Sequence, residues 1–187
     1  MEKPMSKSDS LAIISEMIEA TKDELKGSHF YFLFWGWLAI AIHAAHYYLM
    51  AYTDFAHPEM VWALAAFGGI YTAIYSAKRK KAQRITTHFD KVIGYVWMAY
   101  GFTVLIVIGA GGSLNYAIYP LVTLLTAFPT FLTGILTKYK PLVYGGSLFW
   151  IFAVVSFAVN PQNQIIVGAI ALACGYLVPA YMMKNSK

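Results

Sequence analysis

Long apolar stretches without any charged residue alternate with short charged segments along this chain. Six stretches contain no Asp, Glu, Lys or Arg, and they cover residues 30–50, 60–77, 92–110, 117–137, 142–159 and 165–183. Each has 18–21 residues, which as a helix crosses a hydrocarbon layer about 30 Å thick. Continuous apolar runs differ from the alternating pattern of a membrane barrel. The pattern therefore predicts an all-α fold, a polytopic membrane bundle of six transmembrane helices.

A shorter amphipathic segment precedes the first apolar stretch. Leu11, Ile14, Ile18 and Leu25 recur at helical spacing, and Gly27 is a residue type that often ends a helix. We therefore predict a separate N-terminal amphipathic helix within 1–28, followed by the membrane domain.

The charge of this segment bears on its partner. Residues 1–28 carry six acidic residues and four lysines, whereas anionic lipid attracts basic helices. We expect the helix over 10–26 to dock on protein, either on the basic segment 78–91 or on a cytoplasmic partner. A solvated charged helix is the alternative.

The cations predict the orientation of the bundle. All 14 Lys and Arg residues precede the first stretch, follow the sixth, or separate the second from the third and the fourth from the fifth. The segments at the other ends of the spans, 51–59, 111–116 and 160–164, contain none. By the positive-inside rule, both termini are predicted to lie in the cytoplasm. The net charge of +5 then follows from topology, and we expect no nucleic-acid partner.

Two features concern helix packing. The six spans of the membrane domain, residues 29–187, are predicted to pair as three hairpins. The ends of corresponding spans have similar sequences, which is consistent with a repeated two-helix unit or with chance. The second span carries a small residue at every fourth position, namely Ala65, Gly69, Ala73 and Ala77. Such a ridge favours close approach by another helix, either of this chain or of a second copy in a homo-oligomer.

Histidines and carboxylates concentrate near one end of the first span, on the side without cations. His43 and His46 are three residues apart and share a helix face, and histidine inside a membrane span is a pointer to function. The candidate metal ligands are His43, His46, Asp54, His57 and Glu59. Their nitrogen and oxygen donors suit Zn²⁺. A haem or proton role, or neutral histidines bonded to neighbouring helices, are the alternatives.

Threonines form the second candidate site. One stripe of the fourth span carries Thr123, Thr126, Thr130, Thr133 and Thr137. Such a stripe is predicted to line a channel for a neutral or organic-cation solute, with aromatic walls. The alternative is that each hydroxyl bonds to the carbonyl four residues earlier and links helices together.

Residue patterns for catalysis are missing from the sequence. The only acidic residues on the side without cations are Asp54 and Glu59, both on one loop, so no Ser-His-Asp arrangement can form. The glycine pairs lack the Lys and Ser/Thr pattern of a phosphate-binding loop. No carboxylate lies within a span, where ion-coupled transporters place one. We therefore expect a protein that is not an enzyme.

Two segments carry a resemblance to a known group. The opening SLAIISEMIEATKDELK, running into HFYFLFWGWLAIAIHAAHYYL, and the later PTFLTGILTKYKPLVYGGSLFW resemble small six-span inner-membrane proteins of Bacteroidota, a group without an established activity. The resemblance implies a bacterial inner-membrane location. It also implies a sensing or regulatory role, because members often sit beside a winged-helix regulator. We expect a sensor first, a facilitator second and a metal- or haem-binding protein third.

Overall fold

The computed structural model describes residues 7–82, 88–110, 113–114 and 117–185, with side chains from residue 29 onward except at 80–82 and 88–90. Within these ranges the chain is helical and has no strand. The elements are α1 (Lys7–Tyr52), a 3₁₀ turn (Pro58–Trp62), α2 (Ala63–Ala82), α3 (His88–Gly109), α4 (Ile118–Leu136), α5 (Lys140–Ala158), α6 (Pro161–Leu172), a π-helical turn (Ala173–Leu177) and α7 (Val178–Asn185). Most of the side chains that would form the predicted contact between residues 10–26 and 78–91 lie outside the described part of the structure.

Six helical segments of the described chain are long and apolar enough to cross a membrane, which confirms the predicted number. They are His29–Tyr52, Pro58–Arg79, Lys91–Gly109, Ile118–Leu136, Lys140–Ala158 and Pro161–Asn185. The sixth begins earlier than predicted because the Asn160 side chain accepts a hydrogen bond from the Asn163 backbone N–H and caps α6. Pro161 has no backbone N–H, but it is the first residue of that helix, where an N–H would have no acceptor within the helix.

The predicted helix end at Gly27 is wrong. The backbone of α1 is helical without interruption from Lys7 to Tyr52, a length of 46 residues. A glycine inside a helix costs only about 1 kcal/mol relative to alanine. Helix formation is cooperative, so established turns on both sides of Gly27 offset that cost. The N-terminal segment is therefore a direct extension of the first candidate span.

Close glycine contacts hold α4 and α5 together. These two helices pack most extensively of all described pairs. A Cβ added to Gly146 would lie 2.5 Å from the Phe131 backbone nitrogen, and one added to Gly134 would lie 2.5 Å from the Val143 nitrogen. Since real Cβ atoms do not approach so closely, the two helix backbones can meet only at glycine.

The π-helical turn in the sixth span follows from Pro179. A proline within a helix has no N–H and clashes with the carbonyl four residues earlier, here that of Gly175. The chain widens over Ala173–Leu177 to accommodate it. The Gly175 carbonyl instead faces Gly145 of α5, where an added Cβ would lie 2.5 Å from its oxygen. By contrast, α4 continues through Pro129 as one helix.

The second and third spans lie at the edge of the described bundle. α2 packs against α1 and the 3₁₀ turn, and α3 packs against α4. None of the described residues 91–109 of α3 is buried. The predicted ridge of α2 is also open. A Cβ added to Gly69 would have no atom within 4 Å beyond its chain neighbours and the backbone of its own helix, and Ala73 and Ala77 are exposed. The predicted hairpin partners do contact each other, but the tightest packing joins α4 to α5.

Candidate functional site

A polar and aromatic cluster lies in the half of α1 farther from its N-terminus. It consists of His43 and His46 from α1, Trp62 from the 3₁₀ turn, Tyr119 from α4 and Gly168 from α6. We call these five residues the histidine cluster. His43 and His46 are 5% and 8% exposed, so the cluster places two imidazole rings in the interior of the bundle.

His46 is the centre of the hydrogen bonds in this cluster. The Trp62 indole N–H lies 3.0 Å from both His46 Nδ1 and the Tyr119 hydroxyl oxygen, and the Tyr119 hydroxyl also bonds to His46 Nδ1. An indole N–H can only donate. In the tautomer that accepts this N–H at His46 Nδ1, the neutral ring carries its proton on Nε2. Among the described residues this Nε2–H has no partner, so it can donate to an additional group.

His43 fixes the position of α6 against α1. Its Nδ1 donates to the Ala39 carbonyl oxygen over 2.7 Å, since a carbonyl only accepts. The opposite ring nitrogen faces Gly168, where an added Cβ would lie 2.6 Å from Nε2. The ring also meets Trp62 edge to face, with ring centroids 4.9 Å apart. His43 is therefore enclosed on every side that the structure describes.

The other three predicted metal ligands lie on the loop and turn after α1. His57 Nδ1 is 3.0 Å from Glu59 Oε1, and both side chains are largely exposed, at 68% and 62%. Asp54 is exposed on the same loop. Over the described residues, no three His, Cys, Asp or Glu side chains come together as a metal-binding group. The geometry gives the metal prediction no support, and it stays a prediction.

The threonine stripe lies inside the bundle. Each of its five hydroxyls donates to the carbonyl four residues earlier, over 2.6–2.8 Å. Four of the side chains, at 123, 126, 130 and 133, are buried. The stripe also links helices, because the Trp97 indole N–H of α3 donates to Thr133 and the Tyr100 hydroxyl bonds to Thr126. This geometry matches the helix-linking interpretation, and the channel-lining role stays a prediction.

Sequence reasoning did not place Trp62, Tyr119 and Gly168 at the histidine cluster. By residue type and position, Trp62 and Tyr119 are typical of the membrane interface, because they lie near span ends. Their position at the same end of the bundle as His46 was the available signal. Gly168 carries no sequence signal of its own, since its role depends on how α6 packs against α1.

The described part of the chain thus combines six candidate membrane-spanning helices with a histidine cluster whose two imidazoles are buried. Comparison with protein-family models, curated proteins and solved structures finds no match.

Proposed function

We propose that this chain is a non-enzymatic sensory or regulatory protein of the bacterial inner membrane, with both termini in the cytoplasm. It binds a small ligand or partner at the histidine cluster and relays the bound state through α1 to the N-terminal segment. The cation distribution supports the orientation. Membrane location is supported by the six apolar helices.

The observation that carries the proposal is the continuity of α1. One helix holds His43 and His46 at one end and the N-terminal segment at the other, without a break between them. A rigid helix transmits a shift or rotation over its whole length, whereas a hinge at Gly27 would absorb it. The cluster is also where α1 is joined to α4 and α6, so a change there alters how α1 sits in the bundle.

The chemistry of the cluster points to a hydrogen-bond acceptor as the ligand. His46 Nε2–H is a donor without a partner in the described chain, on an imidazole ring whose centroid lies 5.8 Å from that of the Tyr119 ring. An oxygen acceptor on a small, partly apolar molecule would satisfy both features. Its binding would compete for the position of the His46 ring and thereby act on α1.

We expect a spin label at Asp23→Cys, in full-length Cys174→Ser protein, to report on the cluster. His46→Ala removes the ring that bonds to Trp62 and Tyr119, so α1 is released and the label's mobility spectrum changes. The matched control, His57→Ala, removes an exposed histidine of the loop and should leave the spectrum unchanged. Continuous-wave paramagnetic resonance in lipid vesicles measures both.

Identical spectra for the two variants, with both proteins folded, would contradict the relay. If His46→Ala does not fold, Tyr119→Phe serves instead, because it removes only one hydroxyl from the same network.

The facilitator and the metal- or haem-binding alternatives have less support. The threonine hydroxyls are already engaged in bonds to their own helix, and the five candidate metal ligands are spread between the buried cluster and an exposed loop. We therefore propose neither as the function of this chain.

A further inference from the structure

The N-terminal part of α1 extends beyond the other described helices. The Tyr31 hydroxyl bonds to Ser76 over 2.7 Å, so these two residues lie side by side on α1 and α2. Continuing from there in opposite chain directions, α2 ends at Ala82, which is level with about residue 25 of α1. The rings of Phe32 and Trp97 lie 5.8 Å apart, and α3 begins at His88, level with about residue 23.

The last helix ends sooner. The Trp37 indole N–H donates to the Tyr181 hydroxyl, and α7 ends at Asn185, level with about residue 33. Residues 7–22 of α1 therefore pass the ends of α2, α3 and α7. At 1.5 Å per residue this extension is about 24 Å long.

The extension has the sequence pattern of a coiled coil. Leu11, Ile14, Ile18, Thr21 and Leu25 follow one another at spacings of three, four, three and four residues, which is the a and d pattern of heptads. The same register continues along α1 to Phe32, Ile42 and His46, and these three are buried against other helices of the bundle. In a straight α-helix a heptad seam turns by about 20° per heptad, so the a and d face at Ile18 is turned roughly 40° from Phe32 and 80° from His46. The seam of the extension therefore turns away from the face of α1 that the bundle covers.

The charges of the extension fit pairing with a second copy. Glu16 and Asp23 occupy f positions and Glu19 a b position, away from the a and d seam, so like charges of two identical helices do not oppose each other there. A membrane surface is a poor alternative, because the unbroken α1 leaves the bundle in line with its span and its N-terminal segment is acidic.

We propose that residues 10–26 form a parallel two-stranded coiled coil with the same segment of a second copy of this chain. Two copies in one membrane have the same orientation, so their extensions are parallel and in register without further adjustment. This inference adds a partner to the proposed relay and rests on it only for the cytoplasmic location of the segment.

Disulfide cross-linking in isolated membranes tests the pairing. Single cysteines are placed in full-length Cys174→Ser protein at two d positions, Ile14→Cys and Thr21→Cys, and at two f positions, Glu16→Cys and Asp23→Cys. An oxidant such as copper phenanthroline should convert most of the d-position protein to a dimer within minutes. The f positions lie on the outside of a coiled coil, farther apart than the roughly 7 Å that a disulfide bridges between Cα atoms, and should stay monomeric.

A second substitution separates this pairing from random collision. Ile18→Glu puts a charge at an a position and should reduce cross-linking through Thr21→Cys at least tenfold. Ile13→Glu, at a c position, should leave it unchanged. Tryptophan fluorescence checks that the bundle stays folded, since all five tryptophans lie from residue 35 onward.

Equal cross-linking at d and f positions, no dimer at any position, or insensitivity to Ile18→Glu would overturn the coiled coil. The relay has a separate readout, the label response to His46→Ala. A dimer without that response would refute the relay alone, and the response without a dimer would refute the coiled coil alone.

Discussion

Gly146→Ala is expected to destabilise the bundle by about 3 kcal/mol, at the upper end of the range for overpacked sites. The added Cβ would lie 2.5–2.6 Å from the nitrogen, Cα and Cβ of Phe131. Two of these atoms belong to backbone inside a helix and cannot turn aside as a flexible side chain could. The larger Gly146→Leu is expected to prevent α4 and α5 from pairing and so to prevent folding.

The matched control for Gly146→Ala is Gly101→Ala in α3. Gly101 also lies within a candidate span, but its added Cβ would have no atom within 4 Å beyond its chain neighbours and the backbone of its own helix. Alanine has the higher helix propensity, so this variant should be neutral or more stable by up to about 1 kcal/mol. Unfolding in mixed detergent and SDS, followed by tryptophan fluorescence, measures both. Equal stability of the two alanine variants would show that α4 and α5 do not meet at Gly146.

His46→Ala is expected to destabilise the bundle by about 2–4 kcal/mol, because it leaves a cavity and removes a buried acceptor. The Tyr119 hydroxyl and the Trp62 indole N–H both bond to His46 Nδ1. Without the imidazole, the Tyr119 hydroxyl and the Trp62 indole N–H both lose their bond to Nδ1. The link between α1, the 3₁₀ turn and α4 is weakened at the same time.

His57→Ala is the control for this second prediction. His57 is 68% exposed and its one described partner, Glu59, is exposed as well, so the expected change is within about 0.5 kcal/mol. The same SDS titration gives both values. A His46→Ala protein as stable as the His57→Ala protein would mean that the hydrogen bonds of the histidine cluster contribute nothing to the fold.

The number and approximate bounds of the candidate spans could be predicted from sequence because the hydrocarbon thickness fixes their length and excludes charge. The course of α1 could not. Gly27 suggests a helix end by its residue type, whereas the observed helix follows from cooperativity over 46 residues. The packing order was equally inaccessible, since Gly146 and Gly101 are the same residue type in similar apolar surroundings and differ only in what lies beside them.

The candidate site was predictable in part. His43 and His46 stood out because a titratable group in an apolar span is rare, and both belong to the buried cluster. Their partners were not predictable, because Trp62 and Tyr119 are 16 and 73 residues away from His46 in sequence. Sequence proximity instead favoured Asp54, His57 and Glu59, which lie on the exposed loop and turn.

In the proposed relay, α1 joins the histidine cluster to the N-terminal segment as one rigid helix. Pulsed dipolar spectroscopy between spin labels at Glu16→Cys and Ala41→Cys, in full-length Cys174→Ser protein in lipid vesicles, measures this directly. An excess of unlabelled Cys174→Ser protein in the same vesicles removes the distances between labels on two paired copies. The two positions are 25 residues apart on α1, so an unbroken helix predicts a narrow distribution centred near 38 Å. A broad distribution, or a mean several ångströms shorter, would place a hinge between the two labels and contradict the account.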